Sequence, residues 1–293
     1  MAALSQFERR EARAQSIAAG ALVGPATIFV AACLLVPIAI LFRYSLNDVG
    51  PYKQMVEAFT AANYVRFFSD PYYTAVLART LRVAVTCTLA CLVLGFPLAY
   101  VLARMQSGRK NWIVMLVVLP LFVGNAVRAA GWMALFGSKG VVNSILLGAG
   151  IVDAPLEIMF TEVAVTIGII AVNLPFMVLT LQSVIEGIDR AVEEAAFSLG
   201  ANPLRMARRV LLPLALPGIL AGSILTFILA MNAYATPVLL GGPRFVTMGP
   251  LVYNQFVQQN NWPFGASVSF VLMAATIILT ATANILVQRR YRR

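Results

Sequence analysis

The chain has 293 residues, of which 60% are hydrophobic and 12% are charged, and it contains no histidine. A soluble domain usually carries about 25% charged residues, so this composition and its long apolar runs exclude an ordinary soluble protein and indicate one embedded in lipid. The formal net charge of +10 does not indicate a nucleic-acid partner, because the basic residues are concentrated in particular loops, as in multi-pass membrane proteins.

The apolar runs predict six membrane-spanning helices. Residues 1–19 are polar and basic, and the apolar run after them is too long for the core of a signal peptide, so we expect an uncleaved first span. Residues 43–76 form a mixed loop region with Pro-containing turn signals and a short helix near 61–68. The predicted spans are residues 17–42, 77–103, 112–136, 163–185, 214–239 and 264–287.

The basic residues predict the orientation of these spans. Fourteen of the 22 lie on one side, in segments 1–19, 104–110, 190–209 and 289–293, and cytoplasmic loops carry such an excess. We therefore expect an all-α membrane protein with six transmembrane helices and both termini in the cytoplasm. The predicted parts are a cytoplasmic tail 1–19, a transmembrane domain 20–288 with a cytoplasmic loop 186–213 between its fourth and fifth helices, and a cytoplasmic tail 289–293.

Missing residue types exclude several kinds of chemistry. Without histidine the chain has no Ser-His-Asp triad, zinc-protease motif or histidine-bound haem, so we expect no catalytic residue. No lysine follows a glycine, so there is no phosphate-binding Walker A loop and the chain cannot be a P-loop ATPase by itself. Cys33, Cys87 and Cys91 lie in apolar runs without a nearby His or carboxylate, which predicts buried small hydrophobes and no metal site.

The positions of the acidic residues bear on the energy source. All twelve lie in loops or at the ends of spans, whereas proton-coupled transporters place acids within their spans. Sodium sites built from backbone carbonyls stay possible. The chain therefore either conducts passively or receives energy from another subunit.

The segment between the fourth and fifth spans combines helical periodicity with a glycine joint. Apolar residues at 185, 188, 192, 195, 196 and 199 follow the helical period, and Gly200 is a typical helix stop. Asn202 and Pro203 then predict the start of a second short helix. Such a helix can lie on anionic lipid or dock in a protein groove. Three acids against one arginine disfavour lipid, and the small Ala195–Ala196 pair favours close approach to a protein.

Polar side chains inside the predicted spans are candidates for a solute pathway. Intramembrane polar groups usually face protein or water, so these residues either line a pathway or make hydrogen bonds between helices. Arg128 and Trp132 also fit anchors at the membrane interface. The candidates are Asn125, Arg128, Trp132, Asn173, Asn232 and Tyr234.

One spacing resembles a known family signature. The pattern Glu194-Ala195-Ala196, Gly200, Val210 and Leu212-Pro213 resembles the signature of permease subunits of bacterial binding-protein-dependent ABC importers, with Val in place of Ile. Further segments resemble the polyamine branch of this family, above all the first permease of spermidine/putrescine importers. They begin at Asn63, Gly95, Leu174, Thr236 and Asn261.

The resemblance implies a permease subunit of the bacterial inner membrane that takes up a small organic solute, such as a polyamine or a related amine. It implies a coupling helix near 188–200 that sits in a groove of a dimeric ATP-binding subunit, which holds ATP and Mg²⁺, so we expect no cofactor on this chain. The other expected partners are a second permease subunit, a periplasmic solute-binding protein and the bilayer. The implied coupling residues are Glu193, Glu194, Ala195, Ala196, Gly200, Pro203 and Pro213.

Alternatives remain at this point. The chain could be an autonomous channel, a secondary carrier, or a membrane scaffold whose cytoplasmic helix recruits a signalling partner. The importer could also carry an opine, an amino-acid derivative, thiamine or a metal ion.

Overall fold

The computed structural model describes the backbone of residues 2–50 and 55–291 and the side chains of 24–50, 55–125 and 127–285. The outermost residues of both predicted tails, Met1 and 292–293, lie outside the described residues. The described chain is helical over most of its length, which confirms the predicted helical class. A two-residue strand β1 (Asp48–Val49) pairs antiparallel with β2 (Met55–Val56).

The first helix, α1 (Ala2–Ser45), is longer than the predicted first span. Its beginning is rich in Ala, Glu and Arg, which favour helix, so α1 includes most of the predicted tail 1–19. The apolar stretch Gly24–Ser45 is long enough to cross a membrane, and most of its residues are exposed. It packs mainly along the last helix, with Phe42 and Phe270 edge to face at 5.3 Å. Cys33 is therefore exposed, contrary to expectation, whereas Cys87 and Cys91 are buried.

The second long helix begins at a well-defined cap. After the short α2 (Ala62–Ser69), helix α3 (Pro71–Arg104) starts where the Asp70 carboxylate accepts a hydrogen bond from the Tyr72 amide at 2.8 Å. Proline at the first helical position supports this start, because its missing N–H has no partner there. The helix therefore begins several residues before the predicted span.

The predicted third span is wrong as a single helix. It is divided into α4 (Arg109–Phe122) and α5 (Asn125–Phe136), and α6 (Val141–Gly148) follows. The axis turns by 98° between Arg109–Phe122 and Val127–Gly148. The break lies at Val123 and Gly124, whose backbones are extended (ψ 122° and 148°).

The fourth span is confirmed as α7 (Glu162–Glu186), one helix that continues through Pro175. It packs against α3 and against the later helix α11 (Leu216–Met231) and carries much of the buried core. Gly218 of α11 permits a close approach, because a Cβ there would lie 2.8 Å from the Val184 Cβ.

The segment before α11 is helical in pieces. These are α8 (Arg190–Ser198), α9 (Pro203–Met206), a π-helical turn over 207–211 and α10 (Leu212–Leu214). The axis bends by 71° between Pro203–Leu214 and α11.

The predicted fifth span is wrong at its far end, because α11 stops at Met231. Asn232 caps it: its side-chain amide donates to the Ile228 carbonyl at 2.9 Å. Asn232 and Tyr234 therefore lie in the break after the helix and not inside a span. Short helical turns and α12 (Met248–Tyr253) lead to α13 (Trp262–Tyr291), which contains the predicted sixth span.

Helix length and hydropathy give four membrane-crossing candidates among the described residues, and up to six when each of two bent pairs is taken as one span. The four are Gly24–Ser45, Pro71–Arg104, Glu162–Glu186 and Trp262–Ile285.

Candidate functional site: the 186–213 loop and a cavity between the helices

The loop 186–213 contains two short helices with a glycine between them, as predicted. The Asp189 carboxylate caps α8 by accepting from the Ala191 amide at 2.9 Å, and the Asn202 side chain caps α9 by accepting from the Arg205 amide at 2.8 Å. Between them Gly200 has φ +80°, the left-handed conformation that residues with a Cβ adopt at a cost. The sequence thus specifies the start of each helix and the joint.

Helix α8 has an exposed face and a buried face. Glu194 and Ala195 are exposed, and the Leu199 side chain just beyond the helix is 89% exposed. Glu193 and Ala196 are buried against the rest of the chain. The predicted coupling residues therefore divide into an outward set and an inward pair. The outward set is Glu194, Ala195, Gly200, Pro203 and Pro213.

The Glu193 carboxylate is directed toward the end of α3, where two side chains hold it. The Arg104 guanidinium donates to Oε1 from Nε at 2.9 Å and from Nη2 at 2.5 Å, and the Tyr100 hydroxyl donates to Oε2 at 2.9 Å. The Arg104 and Glu193 side chains are only 14% and 9% exposed. Glu193, predicted as a coupling residue, therefore uses its hydrogen-bonding capacity within the chain in this structure.

Arg104 makes two further contacts with the start of the loop. Its Nη1 donates to the Ile188 carbonyl at 3.0 Å, and its own carbonyl accepts from Arg190 Nη2 at 2.6 Å. Sequence reasoning missed Tyr100 and Arg104, and used Arg104 only as a marker of orientation. Their i, i+4 spacing near the end of a predicted span was the available signal.

A second ion pair lies nearby in the sequence and joins the start of α4 to the end of α7. Lys110 Nζ donates to Glu186 Oε1 at 2.6 Å, and Gln182 donates to the same oxygen at 2.9 Å. The Lys110 and Glu186 side chains are 28% and 37% exposed. Solvent screens such a pair more than it screens Arg104–Glu193, so it stabilises the loop less.

Away from the loop, a cavity of about 380 Å³ brings together four of the six candidate pathway residues. Asn125, Arg128, Asn173 and Tyr234 all line it, although they come from α5, α7 and the break after α11. None of its lining residues is acidic. The lining also includes Leu121, Ile169, Val172, Phe176, Leu229, Ala233, Ala235 and Thr236.

Arg128 also has a structural task at the break between α4 and α5. Its Nη2 donates to the carbonyls of Pro120 and Val123 at 2.7 Å each, and these carbonyls belong to the end of α4. A cation at a helix C-terminus stabilises it, so Arg128 stabilises the end of α4 at this break. Its Nε is buried without a hydrogen-bond partner among the residues that the structure describes, and Arg128 also borders a second, water-sized cavity of about 10 Å³.

The other candidates occupy different surroundings. Asn173 is buried and donates to the Thr226 carbonyl at 3.4 Å, so it links α7 to α11 as well as lining the cavity. Trp132 stacks on Phe136 at 5.0 Å and borders the small cavity. Asn232 lines a separate cavity of about 610 Å³, and Tyr234 lies between that cavity and the 380 Å³ cavity.

Comparison with known proteins places this architecture. The family model described as binding-protein-dependent transport system inner membrane component matches residues 92–293. The chain is 38% identical over 234 residues to the spermidine/putrescine transport system permease protein PotB of Haemophilus influenzae, covering 79% of this chain and 82% of that one. The protein of the same name from Escherichia coli K12 is 39% identical, with 77% and 81% covered.

Solved structures show the same fold. The chain superposes with a TM-score of 0.77 and 18% identity on a bacterial ABC transporter involved in the import of the acidic polysaccharide alginate, over 94% of this chain and 96% of that one. Because the family match covers residues 92–293 and the relatives match most of both chains, this chain belongs to the inner membrane components of binding-protein-dependent transport systems, and it is a transport subunit rather than an enzyme.

Proposed function

We propose that this chain is one of two permease subunits of an ATP-driven importer for a small amine-bearing organic solute, with polyamines as the first candidates. The relatives named as spermidine/putrescine permeases support the solute class. In this proposal the two bent helix pairs each count as one span, which gives six crossings with both termini and loop 186–213 in the cytoplasm. The membrane domain is residues 20–288, between tails 1–19 and 289–293.

The outward face of α8 carries the proposal. Glu194 and Ala195 of α8 are exposed, as are Leu199 just beyond α8 (89%) and Leu204 of α9 (77%). Apolar side chains exposed on a polar loop are typical of a surface that another protein covers. The small Ala195 permits close approach, and Glu194 supplies a polar contact. A dimeric ATP-binding subunit, which holds ATP and Mg²⁺, is the partner we assign to this face.

The 380 Å³ cavity is the part of the solute pathway that this chain supplies. It contains amide, hydroxyl and guanidinium groups but no acid among its lining residues. Without an acidic side chain the cavity offers a polycation little electrostatic attraction. In this proposal the periplasmic binding protein therefore selects the solute. The second permease completes the pathway. Arg128 is positively charged, so it favours a solute that carries a carboxylate as well as an amine, such as an amino-acid derivative.

Transport by the reconstituted complex tests the function. The chain is assembled in proteoliposomes with the second permease and the ATP-binding subunits that co-purify with it, and radiolabelled putrescine, spermidine and an amino-acid derivative are offered with the binding protein. We expect uptake that requires ATP and the binding protein. Uptake that continues without ATP hydrolysis would contradict the proposal and favour a secondary carrier.

Labelling tests the orientation. Leu199→Cys in a Cys33→Ser background should react with a membrane-impermeant maleimide only from the cytoplasmic side. Reaction from the periplasm of intact cells would reverse the proposed topology.

A further inference from the structure

Helix α8 needs a mechanical connection to the membrane helices if its movement is to reach them. Its backbone connections contain a glycine on each side, Gly187 before it and Gly200 after it. The chain on the α9 side passes through the π-helical turn and the 71° bend before it reaches α11. The backbone alone therefore connects α8 only flexibly to the membrane helices. A rigid connection requires side-chain contacts.

Side chains join α8 to α3 in a network of Tyr100, Arg104, Arg190 and Glu193, with the Ile188 carbonyl, which we term the α3–α8 clamp. Five hydrogen bonds of 2.5–3.0 Å join residues that are 84–93 positions apart in the chain. The guanidinium of Arg104 and its backbone carbonyl both take part, so the end of α3 is fixed by side chain and backbone together. The low exposure of Arg104 and Glu193 shields this ion pair from water.

Helix α3 connects the α3–α8 clamp to the 380 Å³ cavity. Helix α3 rises by about 1.5 Å per residue, so Cys87 lies roughly 25 Å along it from Arg104. The Asn173 side chain of the cavity reaches Cys87 Sγ at 3.8 Å and the Thr226 carbonyl of α11 at 3.4 Å. Helix α3 thus links its end at Arg104 to Asn173, which contacts both α3 and α11 from α7.

We infer that Tyr100 and Arg104 are positioning residues for transport: through Glu193 they make α8 and the end of α3 one rigid body, so that movement of α8 shifts α3 instead of being absorbed at the glycine joints. Rigid-body elements of this kind transmit a change at one site to another. The inference rests on the proposed function, because it requires an ATP-binding subunit that moves α8. It assigns the inward face of α8 to transmission and the outward face to docking.

Transport per ATP distinguishes this role from a static one. Arg104→Gln and Glu193→Gln should still hydrolyse ATP in the reconstituted complex but transport about tenfold less solute per ATP, since coupling energies between sites are typically worth 5- to 150-fold. Tyr100→Phe should lower the ratio less, because one hydrogen bond is lost. The double variant Arg104→Glu with Glu193→Arg should recover part of it. Lys110→Gln, which removes the more exposed pair, is the matched control and should keep the wild-type ratio.

An unchanged transport ratio in both single variants would overturn the inference, whereas ATP-independent uptake by the wild type would instead overturn the proposed function. Rigidity is measured separately on the full chain. Spin labels at Val101→Cys and Ser198→Cys, both exposed positions, in a Cys33→Ser background should give one narrow distance distribution that broadens when Arg104→Gln is added. A distribution that stays narrow would overturn the inference whatever the transport result.

Discussion

Gly200→Ala isolates the conformational requirement of the joint between α8 and α9. Gly200 has φ +80°, and a Cβ built there meets no atom within 4 Å. The substitution therefore introduces no clash, and its whole cost is that of placing an L-residue in the left-handed region, about 1–2 kcal/mol. That cost lowers the equilibrium ratio of native to non-native joint by a factor of roughly 5–30. We expect ATP-driven uptake to fall by up to this factor while membrane insertion is unchanged.

The matched control is Gly187→Ala at the other end of α8. Gly187 has φ −73° and ψ −11°, which alanine adopts freely, and the nearest atom to its added Cβ is the Val184 carbonyl oxygen at 3.4 Å. Uptake in proteoliposomes should match the wild type. Gly200→Asn should lie between the two variants, because asparagine tolerates the left-handed region better than alanine. Equal uptake by Gly200→Ala and Gly187→Ala would refute the reasoning.

Three other predictions follow from packing and exposure. Ala196→Leu should lower the free energy of unfolding by about 1–3 kcal/mol, because it overpacks a buried site. Ala195→Leu should leave stability unchanged and weaken co-purification with the ATP-binding subunits. The reverse pattern would contradict the inward and outward faces that we assign to α8. Gly218→Val should lower thermal stability by about 1–3 kcal/mol or more, since even its Cβ meets Val184 at 2.8 Å. Tyr234→Ala should change the apparent affinity of uptake more than the ATPase rate, because Tyr234 lines the cavity; an effect on ATPase alone would remove it from the pathway.

The parts of the fold that local chemistry determines were predictable from sequence. The joint at Gly200 and the cap at Asn202 depend on neighbouring residues, and both are present as predicted. The continuous α7 follows from its long apolar run. These features need no knowledge of distant contacts.

The features that the sequence did not predict depend on tertiary contacts. At the break near Gly124, Arg128 reaches back to the carbonyls of Pro120 and Val123, a contact that the apolar run alone does not predict. The inward direction of Glu193 depends on Arg104, 89 positions away. Two adjacent glutamates look equivalent in sequence, and only tertiary structure separates the one that is held inside from Glu194, which is exposed.

The tight seam between α7 and α11 also limits where a solute can travel. At Gly218 the two helices approach so closely that even a methyl group would collide with Val184, so nothing as large as an organic cation passes between them at that depth. In the proposed importer the solute therefore does not cross at Gly218, and its pathway runs elsewhere along the bundle, where the second permease subunit would complete it.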